Sequence, residues 1–137
     1  MIIPKVNGFP TIIIWAVAAI AIVWFIWNKT TFGKNLYAVG GNPEAAAVSG
    51  ISVFAVTLGA FVMAGILYGF GSWLECARMV GSGSAAYGQG WDMDAIAACV
   101  VGGVSFTGGI GKISGVVTGV CIFTALTYSC LLYTSDA

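Results

Sequence analysis

Apolar residues run along this chain in long blocks rather than in strand alternation or narrow helical stripes. No charged residue occurs in 6–28, 45–74, 95–111 or 113–135. A charge-free apolar block of about 18 or more residues is long enough to cross a bilayer as one helix. The blocks predict spans at about 10–27, 51–73 and 113–129, joined by polar segments at 28–50 and 74–94. The run DAIAACVVGG at 94–103 is apolar but too short to cross as a regular helix, and VSFTGGIGK then breaks it. A short broken or re-entrant glycine-rich segment is therefore expected at 95–109. The fold class is all-α: a polytopic helical membrane protein with about three full spans.

Composition strengthens that expectation. Hydrophobic residues make up 59% of the 137 positions and charged residues 7%, against about a quarter charged in a soluble domain. The net charge is zero and no basic run occurs, so nothing points to a nucleic-acid partner. The N-terminal block is too long for a signal-peptide core, and no small-x-small cleavage site follows Trp27. It is expected to be a retained span. Lys29 and Lys34 lie in the first polar segment with one acid, whereas Arg78 stands among three acids in the second. The lysine-rich segment is thus placed in the cytoplasm and the other outside.

Candidate chemistry is sparse. The chain has no histidine, and its four cysteines lack C-x-x-C spacing, so metal and thiol-redox motifs are absent. GGIGK at 108–112 is not a phosphate loop: position 106 is Phe and position 113 is Ile, where a Walker A motif needs Gly and Ser or Thr. The carboxylates form no acid–base set along one helix face, which disfavours a membrane-embedded enzyme. Gly65 and Gly69, and Gly111, Gly115 and Gly119, recur at intervals of four and predict close helix packing. Glu75 and Arg78 have the spacing of an i,i+3 pair.

The stretch GGNPEAAAVSGI at 40–51 carries a complete set of helix signals. Asn42 is a good N-cap, Pro43 suits the first helical position and Glu44 complements the positive helix end. Ala45, Ala46 and Ala47 propagate the helix, and Gly50 can end it in left-handed geometry. Gly40-Gly41 is expected to turn the chain into it. On physics alone a well-made connector outweighs a docking element for a soluble partner.

The residues NKTTFGKNLYAVGGNPEAAAVSGI and DMDAIAACVVGGVSFTGGIG together resemble the permease subunits of bacterial ABC-type monosaccharide importers. The likeness extends from about 10 to 128, and WNKT, AACVVGGVSF and GVVTGV are most similar to the galactose/methyl-galactoside branch, with the ribose branch next. Ala47 departs from that branch, which tends to have lysine there, as does WDMD, where Tyr-Glu-Leu-Asp is usual. The resemblance implies that Gly41, Asn42, Glu44, Ala45, Ala46 and Gly50 belong to a coupling loop that docks on a cytoplasmic ABC ATPase. It also implies a second permease subunit (a homodimer), an extracytoplasmic sugar-binding protein and a place in the bacterial inner membrane. No cofactor is expected in this chain, Mg-ATP belonging to the partner ATPase.

Asp94 has two roles open to it. It can cap a helix beginning at Ala95, the commoner use of such an aspartate. It can also meet sugar hydroxyls on the translocation path, because ionisable groups at membrane depth are functional by default. Gly102, Gly103, Gly108 and Gly109 permit a broken helix whose irregular backbone lines that path, since lipid would not tolerate it.

CLLYTSDA at 130–137 departs from the family pattern and equals one reading frame of a transposase sequencing adapter. It is expected to be an artefact, and the chain a fragment of a larger permease that would not transport alone. The rival readings are a small membrane interaction or assembly protein without transport, or a decayed permease.

Overall fold

A computed structural model describes residues 5–6, 9–79 and 83–136. The chain divides between Tyr87 and Gly88 into two compact units. The first opens with a two-residue antiparallel pair, β1 (Lys5–Val6) and β2 (Phe9–Pro10). It continues with helices α1 (Thr11–Lys29), α2 (Thr31–Gly41), α3 (Pro43–Val48) and α4 (Val53–Arg78). The second unit holds α5 (Trp91–Val101) and α6 (Ile113–Asp136).

Helices α1, α4 and α6 have 19, 26 and 24 residues and the apolar composition of membrane spans. At 1.5 Å per residue they reach about 28, 39 and 36 Å, against a hydrocarbon core of about 30 Å. The 11 residues of α5 reach only about 16 Å. The glycine-rich segment is therefore a short helix followed by irregular chain, and α6 continues through Cys130 to Asp136.

Very little of this apolar surface is covered by the chain itself. Among the described residues the buried hydrophobics are Ala46, Val56 and Ala98, while Phe54, Phe61 and Tyr68 of α4 are exposed. A water-soluble domain would hide such side chains; in lipid the solvent is as apolar as they are.

Within the first unit α1 and α4 run antiparallel. Trp15 near the start of α1 meets Phe70 and Trp73 near the end of α4, with ring centroids 6.3 and 6.1 Å apart. The cluster lies at the opposite end of α1 from Lys29, and amphipathic indoles concentrate at membrane interfaces.

The polar segment between these spans contains a helix that the sequence pattern did not predict. Gly40 and Gly41 are the last residues of α2 rather than a sharp turn. Thr30 starts α2, its hydroxyl accepting from the Gly33 N–H at 3.4 Å. Gly33 is buried, and a Cβ there would collide with the Trp27 backbone. Phe32 lays its ring against Gly59 of α4 in the same way. Close approach at these two glycines seats α2 on both spans.

Candidate functional site

Asn42 joins α2 to α3 and serves both. Its N–H donates to the Ala38 carbonyl at 3.1 Å, closing α2. Its Oδ1 accepts from the N–H groups of Glu44 and Ala45, each at 3.1 Å, opening α3. These are two of the donors that a helix start leaves unpaired. Pro43 occupies the first turn and Glu44 stands at the positive end, as the cap signals require.

At the other end Gly50 has φ +84°. The Gly50 N–H donates to Ala47 at 3.1 Å and the Ile51 N–H to Ala46 at 3.0 Å, the two bonds of a Schellman stop. Ser52 then caps α4 through the Ala55 N–H at 3.4 Å. A six-residue helix is thus fixed at both ends and tied within four residues to a membrane span.

The faces of α3 are unequal. Ala46 is 4% exposed and seats the helix, so it is not a surface that a partner can touch. Glu44, Ala45 and Ala47 are exposed, and Val48 is 90% exposed. Val48 was not among the predicted site residues. Its signal was an apolar side chain ending a polar-surface helix, two positions after the buried alanine.

In the second unit the glycines expected to break a helix do so through specific bonds. Gly102 caps α5, and Gly103 follows with φ +85°. The Gly103 N–H donates to Val100 at 2.9 Å and the Val104 N–H to Cys99 at 3.1 Å, a second Schellman stop. Gly108 and Gly109 have φ +88° and +72°, and turn the chain so that the Ser105 N–H reaches the Ile110 carbonyl at 3.0 Å. The Ser105 and Thr107 hydroxyls lie 2.7 Å apart on the exposed loop.

Beyond this loop α6 returns along α5. A Cβ on Gly115 would strike the Gly102 carbonyl, and one on Gly119 the Ala98 carbonyl. The hairpin is therefore interlocked backbone to backbone.

Asp94 is not an N-cap. The helix starts at Trp91, and Gly90, with φ +84°, occupies the cap without a side-chain bond. Left-handed geometry at Gly90 lets α5 begin four residues earlier than the alanine-rich pattern indicated, so Asp92 and Asp94 both sit in its first turn. Continuing the pairing of Ala98 with Gly119 and Gly102 with Gly115 puts Asp94 level with Phe123. Phe123 lies about 15 Å along α6 from Ile113, in the interior of that helix. Asp94 is exposed on the chain.

Residues 4–135 match the family described as the branched-chain amino acid transport system / permease component. The chain belongs to that permease family. The galactose/methyl galactoside import permease MglC of Treponema pallidum (strain Nichols) is 62% identical over 91% of this chain and 23% of its own length. The MglC protein of Escherichia coli (strain K12) is 54% identical over 83% of this chain and 34% of its own. The xylose transport permease XylH of Haemophilus influenzae (strain ATCC 51907 / DSM 11121 / KW20 / Rd) is 42% identical over 86% and 31%. The chain thus spans about a quarter to a third of the length of these relatives. No solved structure matches it.

The permease chain is a multi-pass protein of the inner membrane. Its predicted residues fall in two places. Gly41, Asn42, Glu44, Ala45, Ala46 and Gly50 form or bound α3, in the first unit. Asp94, Gly102, Gly103, Gly108 and Gly109 lie on α5 and its loop, in the second.

A third constellation lies at the C-terminal end of α4. The Tyr87 hydroxyl donates to Glu75 Oε1 at 3.0 Å, and Arg78 Nε lies 3.9 Å from the same oxygen. The hydrogen bond to Glu75 is the main cause raising the Tyr87 pKa above its ordinary 10.0. Loss of solvent and the Glu75 charge add to it, and Arg78 opposes it.

Proposed function

We propose that this chain is the path-forming and coupling part of an ATP-driven sugar importer, with galactose or methyl galactoside as the substrate class. The identity to permeases named for that import, 62% and 54%, is the observation that carries the substrate. Two such subunits would form the pathway, served outside by a sugar-binding protein and inside by an ABC ATPase that hydrolyses the nucleotide. The permease itself would contribute no chemistry, only a route with two accessible states.

α3 is the element proposed to dock on the ATPase. Support comes from its fixed ends, its exposed Glu44, Ala47 and Val48, and its short link to α4. A helix held in this way transmits displacement instead of absorbing it. Asp94, Gly102, Gly103, Gly108 and Gly109 are proposed to line the path. Irregular backbone and a carboxylate within a membrane are tolerated only beside protein or water, and discontinuous helices are what transporters use at their midplane.

A chimera tests this directly. Residues 11–129 would replace the matching segment of the full-length Escherichia coli relative in cells lacking their own galactose permease. Galactose uptake that depends on the ATPase and the binding protein is expected. A correctly inserted chimera that carries no galactose would overturn the substrate reading.

A further inference from the structure

We propose that the corner between α1 and α2 holds an anionic phospholipid, its phosphate bound by Lys29 and Lys34. The proposal needs the permease's place in a membrane but neither its substrate nor its partners.

The corner is built wholly within the first unit. Lys29 is the last residue of α1, whose 19 residues reach about 28 Å and just cross a hydrocarbon core of about 30 Å. Its ammonium therefore stands at the level of lipid headgroups. Lys34 is brought to the same place by Gly33, which lies against the Trp27 backbone where a Cβ would collide. The two lysines are thus one and two residues from a single contact, and both are exposed.

Charge at the corner is uncompensated. Asn28 Nδ2 donates to the Trp24 carbonyl at 3.0 Å, and the Thr30 hydroxyl donates to the Ile26 carbonyl. These two side chains turn back onto the end of α1, which leaves the ammonium groups to face outward. Arg78 is paired with Glu75, whereas among the described residues no carboxylate pairs with Lys29 or Lys34. Glu44 is the one acid between 28 and 50, and it stands at the positive start of α3.

Two free ammonium groups at headgroup level complement a lipid with net negative charge. A zwitterionic headgroup brings an ammonium of its own and gains less. The surface beside the corner suits acyl chains. Ile22 and Phe25 of α1 are exposed, as are Phe54 and Leu58 of α4, and Phe32 on Gly59 sets that part of α4 against α2. Trp24, also exposed, lies little more than one turn from Lys29, where an indole meets the interface.

That indole supplies the test. The full chain is placed in phosphatidylcholine vesicles with Trp15, Trp73 and Trp91 replaced by phenylalanine, so that Trp24 and Trp27 alone report. Quenching by dibrominated phosphatidylglycerol is compared with quenching by dibrominated phosphatidylcholine. The anionic lipid should bind at least about fivefold more tightly, the worth of one lysine near a charged surface. Lys29→Gln and Lys34→Gln should each lower that preference, and the pair together should abolish it. Lys34→Arg should keep it, and Lys112→Gln, away from the corner, should leave it unchanged. Native mass spectrometry of the chain with all five tryptophans should find phosphatidylglycerol retained, and lost in the double lysine variant.

Equal quenching by the two lipids, or a preference that survives loss of both lysines, would overturn the site. So would an equal fall with Lys112→Gln, which would mean that any cation serves. No transport enters the measurement, so its failure is distinct from failure of the galactose chimera.

Discussion

Gly102 and Gly115 face each other so closely that a Cβ on either would collide with the other's carbonyl oxygen. The α5–α6 hairpin exists because neither position carries a side chain. Lipid gives no hydrophobic drive to bring helices together, so close van der Waals contact has to do it.

Substitution at that contact should therefore be costly. Gly115→Ala or Gly119→Ala is expected to destabilise the hairpin by about 1–3 kcal/mol, as overpacking does. Gly65→Ala, whose Cβ would meet nothing within 4 Å, should change stability by less than about 0.5 kcal/mol. Unfolding of the three variants in a mixed-micelle denaturant titration checks the contrast. Similar midpoints for Gly115→Ala and Gly65→Ala would contradict it.

Asn42 closes one helix and opens the next, so its loss is felt twice. Asn42→Ala should cost about 1 kcal/mol of local stability and lower uptake by the full-length permease, whereas Asn42→Ser should retain most of both. Amide hydrogen exchange should rise at Glu44 and Ala45, the two residues whose N–H groups it accepts. Unchanged exchange there in Asn42→Ala would show that the cap is not what holds α3.

The spans and the α3 signals were legible in the sequence because each rests on local chemistry. Charge-free blocks mark α1, α4 and α6, and Asn42, Pro43 and Gly50 act on their nearest neighbours. α2 was not legible. Its glycines at 33, 40 and 41 are poor helix formers, and the helix stands because Gly33 lies on the Trp27 backbone and Phe32 on Gly59. The start of α5 was missed for a related reason, since a left-handed Gly90 leaves no side-chain signature. Spacing could show that glycines recur every four residues but not which of them are used. Gly115 and Gly119 meet α5, whereas nothing lies within 4 Å of a Cβ at Gly65 or Gly69. Nor could composition tell that Ala46 turns inward while Val48 is left outside.

Tyr87 supplies a pH test of its bond to Glu75. Its pKa is raised on folding, so the protonated phenol is favoured in the native state. The associated stability is complete below the ordinary value of 10.0 and is lost as pH rises through the higher native value. Absorbance at the tyrosinate band, native chain minus Tyr87→Phe, should show a transition above 10.0. Glu75→Gln removes the charge and should bring it back toward that value. A transition at or below 10.0 in the native chain would mean that the bond to Glu75 does not form.

The proposed place of Asp94 on the path makes a prediction about water. In the assembled full-length permease, Asp94→Cys should react with a water-soluble maleimide if the proposed path wets it. Leu126→Cys, on exposed α6 surface, provides the comparison at similar depth and should react at least about tenfold more slowly if lipid covers it, since thiolate formation needs water. Equal protection of both positions would place Asp94 away from any aqueous route.

The proposed docking of the ATPase falls on the fixed α3 helix, whose most exposed apolar side chain is Val48. A photoreactive residue at position 48 of the full-length permease, in membranes holding the complete importer, reads this out in one step. Cross-linking to the ATPase subunit that strengthens or weakens with bound nucleotide is the predicted result. Cross-links confined to lipid or to the extracytoplasmic binding protein would contradict the account.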